Sequence, residues 1–148
     1  MIQLNYICVK YDITLKYPEK LTWDNGWFSG FFDADGSITI KSTDGQLSIS
    51  AGQKTSELLT PLVELYGGYV YIDRGGHGSF KWYVTKKEDV LNTIEYFKKY
   101  PSRSAKKNRL HLIPKIYELK SMKAHIAPSG SLLAKSWETL MGKWKNYE

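Results

Sequence analysis

Phe28-Ser29-Gly30-Phe31-Phe32-Asp33-Ala34-Asp35-Gly36 is the stretch on which the reading of this chain turns. Together with Trp23 and Trp27, the phenylalanines have helical spacing, so a helix is expected from Thr22, as N-cap, to Ala34, with Gly36 ending it. Asp33 and Asp35 then fall on its last turn, where the macrodipole is already negative; each costs a few tenths to about 1 kcal/mol unless a cation compensates. A metal ion is the economical compensating charge. Gly26, Gly30 and Ala34 recur every fourth residue and put three small groups on one face, where a second helix could approach closely. The plainer alternative is a core helix with a solvated acidic end. An EF-hand loop is excluded: started at Asp33, it needs Gly sixth and Glu twelfth, where this chain has Ile38 and Asp44.

Outward from that helix, the alternating segments 37–43 and 46–53 flank Asp44-Gly45 and predict strands joined by a two-residue hairpin turn. Residues 55–66 place Leu58, Leu59, Leu62, Val63 and Leu65 on an apolar stripe, a helix kinked or restarted at Pro61. Segments 69–74 and 80–85 form a second strand pair around Gly75-Gly76-His77-Gly78, and 88–99 return to helical periodicity. The Lys-rich segments 104–123 and 131–145 read as helices, with a break at Pro114 and a loop at 127–130. Residues 1–20, ending in Tyr17-Pro18-Glu19-Lys20, are an extended lead-in to a single domain over 21–148. The order is α-β-β-α-β-β-α plus C-terminal helices, an α+β unit with helices on one sheet face and a polar face left open.

A chain of 148 residues, 42% hydrophobic, buries one core. Its 21 Lys and Arg against 15 Asp and Glu favour a polyanionic partner, nucleic acid ahead of an acidic membrane surface. Cys8 is the single cysteine, which excludes an intrachain disulfide, and three His offer no Cys/His zinc spacing. No apolar run approaches the roughly 20 residues of a spanning helix, so a soluble protein without membrane contact is expected.

The nine residues resemble the LAGLIDADG signature, with Phe-Ser-Gly-Phe-Phe in place of Leu-Ala-Gly-Leu-Ile and the Asp-Ala-Asp-Gly end intact. Similarity to the LAGLIDADG homing endonuclease and intron maturase family continues through Gln53-Lys54-Thr55, Gly68-Tyr69-Val70, Asp73-Arg74-Gly75 and residues 101–107. The resemblance implies a homing-endonuclease-like unit with a saddle-shaped antiparallel sheet, paired with a second unit through Gly26, Gly30 and Ala34. It makes Asp35 and the Ala34 carbonyl ligands for Mg²⁺ or Mn²⁺, assigns Gln53 to the hydrolytic water and Lys106 to the transition-state phosphate, and leaves Asp33 to shape the helix end. Lys107 adjoins Lys106, and Glu57 stands where some members carry a basic residue.

Strand alternation puts Ile38, Ile40, Leu47 and Ile49 on one face and Thr39, Lys41, Thr43, Gln46, Ser48 and Ser50 on the other, the expected DNA surface. Tyr69, Tyr71, Arg74, Lys81 and Tyr83 extend it if a bulge near Ile72 shifts the register. The implied function is metal-dependent double-strand cleavage of DNA by an intron-encoded, organellar (mitochondrial or chloroplast) enzyme. The alternatives are a maturase that binds intron RNA and a DNA-binding relative with a dead site. The unit pairs as a homodimer or, since residues 1–20 also resemble the lead-in to the second half of two-motif members, as a heterodimer with a complementary half.

Overall fold

Short elements alternate along residues 21–147, which with Lys10 and Tyr11 are the residues that the computed structural model describes; the rest of the lead-in expected at 1–20 lies outside them. They are α1 (Trp27–Asp35), β1 (Gly36–Ile40), β2 (Leu47–Gln53), α2 (Thr60–Tyr66), β3 (Tyr69–Asp73), β4 (Ser79–Val84), α3 (Lys87–Lys99), α4 (Lys106–Ser121) and α5 (Leu132–Asn146). Single 3-10 turns follow β3 and α4. The strands pair antiparallel in the order β1-β2-β4-β3, so the α+β order read from the sequence holds.

One sheet face is apolar. Ile38, Ile49, Ala51, Trp82 and Val84 are buried there with Phe28 and Phe32 of α1, Leu62 and Tyr66 of α2, and Val90, Ile94 and Phe97 of α3. Phe28 sits at the centre of this core, its ring 4.4 Å from that of Tyr66 and 5.7 Å from that of Trp82. Leu110, Ile113, Ile116 and Leu119 of α4 join the same cluster. Full burial of each such side chain stabilises by about 1.5–3 kcal/mol, which is why these positions override local propensity. Pro114 illustrates this: the expected break does not occur, and α4 runs through it because its buried stripe on both sides of the proline holds the helix together. Pro61, by contrast, lies in the first turn of α2, where the missing N–H costs nothing; the helix expected over 55–66 is shorter, since residues 57–59 form a turn and α2 begins at Thr60.

Two further boundaries differ from the sequence reading. Thr22 does not cap α1: its Oγ1 accepts from the Asp24 N–H (3.3 Å) and Asn25 Nδ2 (3.4 Å), closing a local turn, and the helix starts at Trp27. The β1–β2 connection is a six-residue loop over 41–46, with the Gly45 N–H on the Lys41 carbonyl (2.8 Å) and the Lys41 N–H on that of Gln46 (2.8 Å). Gly45 has φ +66° and Asp44 does not share a positive φ, so the two-residue turn that needs both is not formed.

The C-terminal helices are tied to the sheet by Arg109. Its guanidinium donates to the Ile38 carbonyl (3.0 Å) and the Trp144 carbonyl (3.2 and 3.3 Å) and lies 4.8 Å from the Trp144 ring. Ser131 caps α5, accepting from the Ala134 N–H at 3.2 Å.

Helix α1 passes into β1 without a linker, and Gly36 permits it. Its backbone is extended (φ −80°, ψ 157°), so conformational freedom is not the reason; a Cβ there would overlap the buried Phe32 ring. Gly36→Ala is therefore expected to destabilise the fold by about 1–3 kcal/mol through overpacking. Gly30→Ala, where an added Cβ meets nothing within 4 Å, is expected to be neutral or to stabilise by up to about 1 kcal/mol. Urea midpoints of the two variants check this, and equal shifts would remove the steric account.

Candidate cleavage and nucleic-acid-binding site

With nine residues and glycine as N-cap, α1 cannot satisfy its own ends, and distant residues do it. The Tyr96 hydroxyl accepts from the Ser29 N–H (3.1 Å) and donates to the Asn25 carbonyl (2.7 Å). At the other end, Lys106 Nζ donates to the carbonyls of Phe32 (3.0 Å) and Asp33 (2.8 Å). A cation does sit on the negative end of the helix, and it is an ammonium of this chain.

The two carboxylates then divide their work. Asp33 accepts from the Ser102 hydroxyl, the Ser104 hydroxyl (2.7 Å) and the Arg103 N–H (2.8 Å), fastening segment 102–104 beneath the helix and setting where α4, with Lys106, begins. Burial alone would raise its pKa, but the hydrogen bonds from Ser102, Arg103 and Ser104 outweigh that and hold it below the ordinary carboxylate value. Asp35 is exposed, and its one hydrogen bond among the described residues comes from Gln53 Nε2 to Oδ2 at 2.6 Å. The second oxygen is left toward solvent. Gln53 ends β2 where that strand passes the start of β1, so the register that pairs Gly36 with Ala51 brings the two side chains together.

Asp35 and Gln53 therefore meet, as the residues singled out from sequence should, whereas the Lys106 ammonium is engaged one turn back, on backbone carbonyls. The Ala34 side chain is exposed beside them. Asp35 and the Ala34 carbonyl are oxygen donors of the kind a hard cation takes. Among the described residues no three His, Cys, Asp or Glu side chains come together to hold one.

The polar sheet face follows directly from register. Ser37, Ser50, Tyr83 and Tyr69 form one cross-strand row, Thr39 and Ser48 a second, and Gly52, Lys81 and Tyr71 a third. Tyr69 and Tyr71 share the face with Lys81 and Tyr83 through unbroken pairing, so the bulge expected near Ile72 is not needed. The three tyrosine rings lie 5.7 to 6.3 Å apart. Partial burial, reinforced by the Asp73 carboxylate, holds the Tyr71 phenol above its ordinary value, so it stays a neutral donor at physiological pH.

Not every expected residue is presented equally. Ser48 and Ser50 lie on this face but are only 4% and 3% exposed, Ser48 sharing a 2.5 Å hydrogen bond with Thr39. Lys41, Thr43 and Gln46 belong to the hairpin loop, where Lys41 stands 3.9 Å from Asp44. Arg74 is exposed on the turn after β3. Ser37 was missing from the expected set, although alternation with Thr39 could have found it. Tyr96, Ser102 and Ser104 were missed because nothing local marks a partner some 70 residues away.

Among the described residues, nothing covers the outer face of α1. Gly26, Gly30 and Ala34 are exposed, and Gly26 and Gly30 line a groove of about 500 Å³ with Ser29, Asp33, Tyr100 and Arg103. Trp27 and Phe31 stack beside it with ring centres 5.0 Å apart, Trp27 remaining 41% exposed.

Comparison with known proteins places this geometry. The family model described as LAGLIDADG endonuclease matches residues 28–117. The chain is 39% identical over 99% of its length to the "Intron-encoded RNA maturase bI4" of Saccharomyces cerevisiae, spanning 24% of that protein. It is 39% identical over 93% of its length to the "Intron-encoded DNA endonuclease ai2b" of Dictyostelium discoideum, spanning 55% of it. The chain thus corresponds to about a quarter and about half of these relatives. Among solved structures, its fold is similar to that of the "Archaeal Intron-encoded Homing Endonuclease I-Vdi141I Complexed With DNA", with TM-score 0.66, 21% identity and 83% of this chain and 82% of that one covered. The "Crystal structure of LAGLIDADG homing endonuclease I-GzeII in complex with DNA target" is similar at TM-score 0.65 and 19% identity, over 96% of this chain and 51% of that one. On the family match and these relatives, the chain belongs to the LAGLIDADG endonuclease family.

Proposed function

We propose that the chain is one unit of a site-specific DNA endonuclease that hydrolyses both strands of a duplex when two such units meet through α1. The observation that carries this is the Asp35–Gln53 pair: an exposed carboxylate with one oxygen held by an amide and one open, at the end of a helix whose outer face is bare. Asp35 and the Ala34 carbonyl would hold Mg²⁺ or Mn²⁺, and a second unit would bring the matching Asp35. The bound ion would lower the pKa of water and stabilise the leaving oxygen of the phosphodiester. Gln53 would orient the water that attacks phosphorus, an uncharged donor and acceptor suited to that task. Lys106 would contribute positive charge near the phosphate as the backbone carbonyls it now holds are approached by substrate. The polar sheet face, with Lys81, Tyr71 and Tyr83 beside the row of hydroxyls, would lie in the major groove. The intron-encoded relatives support an organellar intron as the source of the gene.

A second reading has its own support. The match to a yeast RNA maturase runs over 99% of this chain, as strong in identity as the match to the endonuclease. Binding of intron RNA is therefore kept beside DNA cleavage. No helix among the described residues is long and apolar enough to cross a membrane.

Asp35→Asn is expected to abolish cleavage in Mg²⁺ while duplex binding in Ca²⁺ persists, and Gln53→Ala to lower the single-turnover rate with little loss of affinity. Cutting by Asp35→Asn near the wild-type rate would sink the assignment.

Acid stability tests the placement of Lys106. Asp33 has its folded pKa depressed, so its stabilisation is complete above the ordinary value of 3.8 and is lost as pH falls through the lower folded value. Asp33→Asn should lower the melting temperature at pH 7, with the difference from wild type shrinking below about pH 4. A difference that is constant down to pH 2.5 would separate Asp33 from segment 102–104.

Gly30→Leu is expected to leave a folded monomer that neither pairs on DNA nor cuts it, because side-chain bulk would then stand between two closely packed helices. Light scattering with duplex DNA reads the assembly. A wild-type chain that cuts both strands as a monomer would rule out the shared site.

A further inference from the structure

Of the six residues in the loop over 41–46, five are exposed and one, Gly45, is buried. Gly45 has φ +66°, and a Cβ added there would stand 3.2 Å from Cη2 and 3.3 Å from Cζ2 of Trp137, so the far edge of that indole packs against the loop backbone. Lys120 is the next neighbour, with its Cδ at 3.6 Å. On both flanks of this contact the packing opens. A cleft of about 300 Å³ lies between residues 39–42 and Trp137, Met141 and Trp144 of α5, and another of about 310 Å³ between Gln46 and Leu47 and the Tyr117 and Lys120 side of α4. The Trp137 edge is thus the point on which the loop rests.

That point is itself held. Trp137 packs against the core cluster, and the His125 ring lies 5.7 Å from it. Seven residues further along α5, and so on the same helix face, Trp144 meets Arg109, which also donates to the Ile38 carbonyl of β1. The side of α5 that carries Trp137 is therefore the side fastened to the sheet. Within the loop, hydrogen bonds pass any displacement of Gly45 to its neighbours: the Gly45 N–H donates to the Lys41 carbonyl and the Lys41 N–H to the Gln46 carbonyl, both at 2.8 Å, and Asp44 Oδ1 accepts from the Gln46 N–H at 3.0 Å. Lys41, Thr43 and Gln46 stand exposed on this closed unit. Strand β1 runs from Gly36, next to Asp35, to the loop, and at about 3.3 Å per residue it puts Lys41 about 17–20 Å from Asp35, or about five to six base pairs along a duplex.

We propose that Trp137 is a positioning residue for sequence recognition: through Gly45 it sets the tilt of the 41–46 loop, and so which bases Lys41, Thr43 and Gln46 reach, without touching the duplex itself. This rests on the duplex-binding reading of the sheet face above and adds to it a determinant among the helices. Hydrogen bonds to base edges weaken steeply with distance and angle, so a tilt that moves the loop tip by about 1 Å is felt at the bases the loop reads and not at those read near Asp35. A residue that only stabilised the core would instead lower binding to every sequence alike.

The test selects bound duplexes from a fully randomised pool in Ca²⁺ for wild type, Trp137→Ala, Trp137→Phe and the loop variant Lys41→Ala, Thr43→Ala, Gln46→Ala, with circular dichroism to verify folding. The loop variant marks the base positions that the loop reads. At those positions Trp137→Ala should flatten base preference about fivefold, while preference elsewhere in the site changes by less than about twofold. Trp137→Phe keeps a ring in the core but withdraws the far edge of the indole; it should flatten the same positions by a smaller factor, and it carries the comparison should alanine prevent folding. Added to the loop variant, Trp137→Ala should change preference no further, because the groups through which it acts are gone. Loop-read preference that is unchanged in the folded Trp137 variants, flattening that is equal at every position, or a further change in the loop-variant background overturns the inference. A wild-type chain with no base preference anywhere removes the duplex reading and this inference together, whereas wild-type preference that a folded Trp137→Ala retains removes this inference alone.

Discussion

The nine-residue helix α1 leaves about four N–H and four C=O groups without partners inside it, and the rest of the molecule is arranged around meeting that demand. Tyr96 from α3 closes the N-terminal end and Lys106 from α4 the C-terminal end. Asp33 gathers the segment between those two helices. The helix is thus held at both ends by charge-assisted or buried hydrogen bonds from elements far away in sequence, each worth about 0.5–3 kcal/mol. One flank is locked by Phe28 and Phe32 in the core, and the opposite flank stays bare. Rigid attachment on one side makes that bare side useful, since a helix free to shift could not place Asp35 against Gln53 to within a hydrogen bond.

The same arrangement divides the polar sheet face into two chemistries. Near β1 and β2 the side chains are short hydroxyls, two of them nearly covered; near β3 and β4 they are tyrosines and Lys81. Hydroxyls accept and donate with little geometric preference, so they add contacts without strong discrimination, whereas bulky phenols and a lysine impose shape and direction. A duplex laid across this face would be read more sharply on the β3–β4 side.

Periodicity made the element order and the inner and outer sheet faces legible, because each follows from local spacing or from the register of neighbouring strands; Gln53 was singled out only through the family resemblance, and its hydrogen bond to Asp35 is a finding of the structure. Thr22 looked like a cap and Pro114 like a break; Thr22 instead closes a local turn with Asp24 and Asn25 while Tyr96 serves the helix N-terminus, and the buried stripe of α4 carries that helix through Pro114. The Asp44-Gly45 turn was misread for a subtler reason. Gly45 takes a positive φ with Trp137 packed against it, and the neighbouring residues close the loop by ordinary hydrogen bonds. The acidic helix end was rightly seen as needing a cation, but sequence could not say that Lys106, more than 70 residues away, supplies it.

An ammonium that donates to two carbonyls at 2.8 and 3.0 Å is already well solvated by protein, and moving it onto a phosphate means giving up those bonds. The exchange is favourable only where a phosphate, carrying full negative charge, replaces neutral carbonyl dipoles, since hydrogen bonds between ionised partners are roughly twice as strong as those to neutral ones. The helix end left behind would recover a negative potential at the moment when Asp35 beside it has most need of a divalent cation. Lys106 and the proposed metal would then be alternative answers to one electrostatic problem: in the chain alone the lysine holds the helix end, and with substrate bound a divalent cation on Asp35 would relieve it.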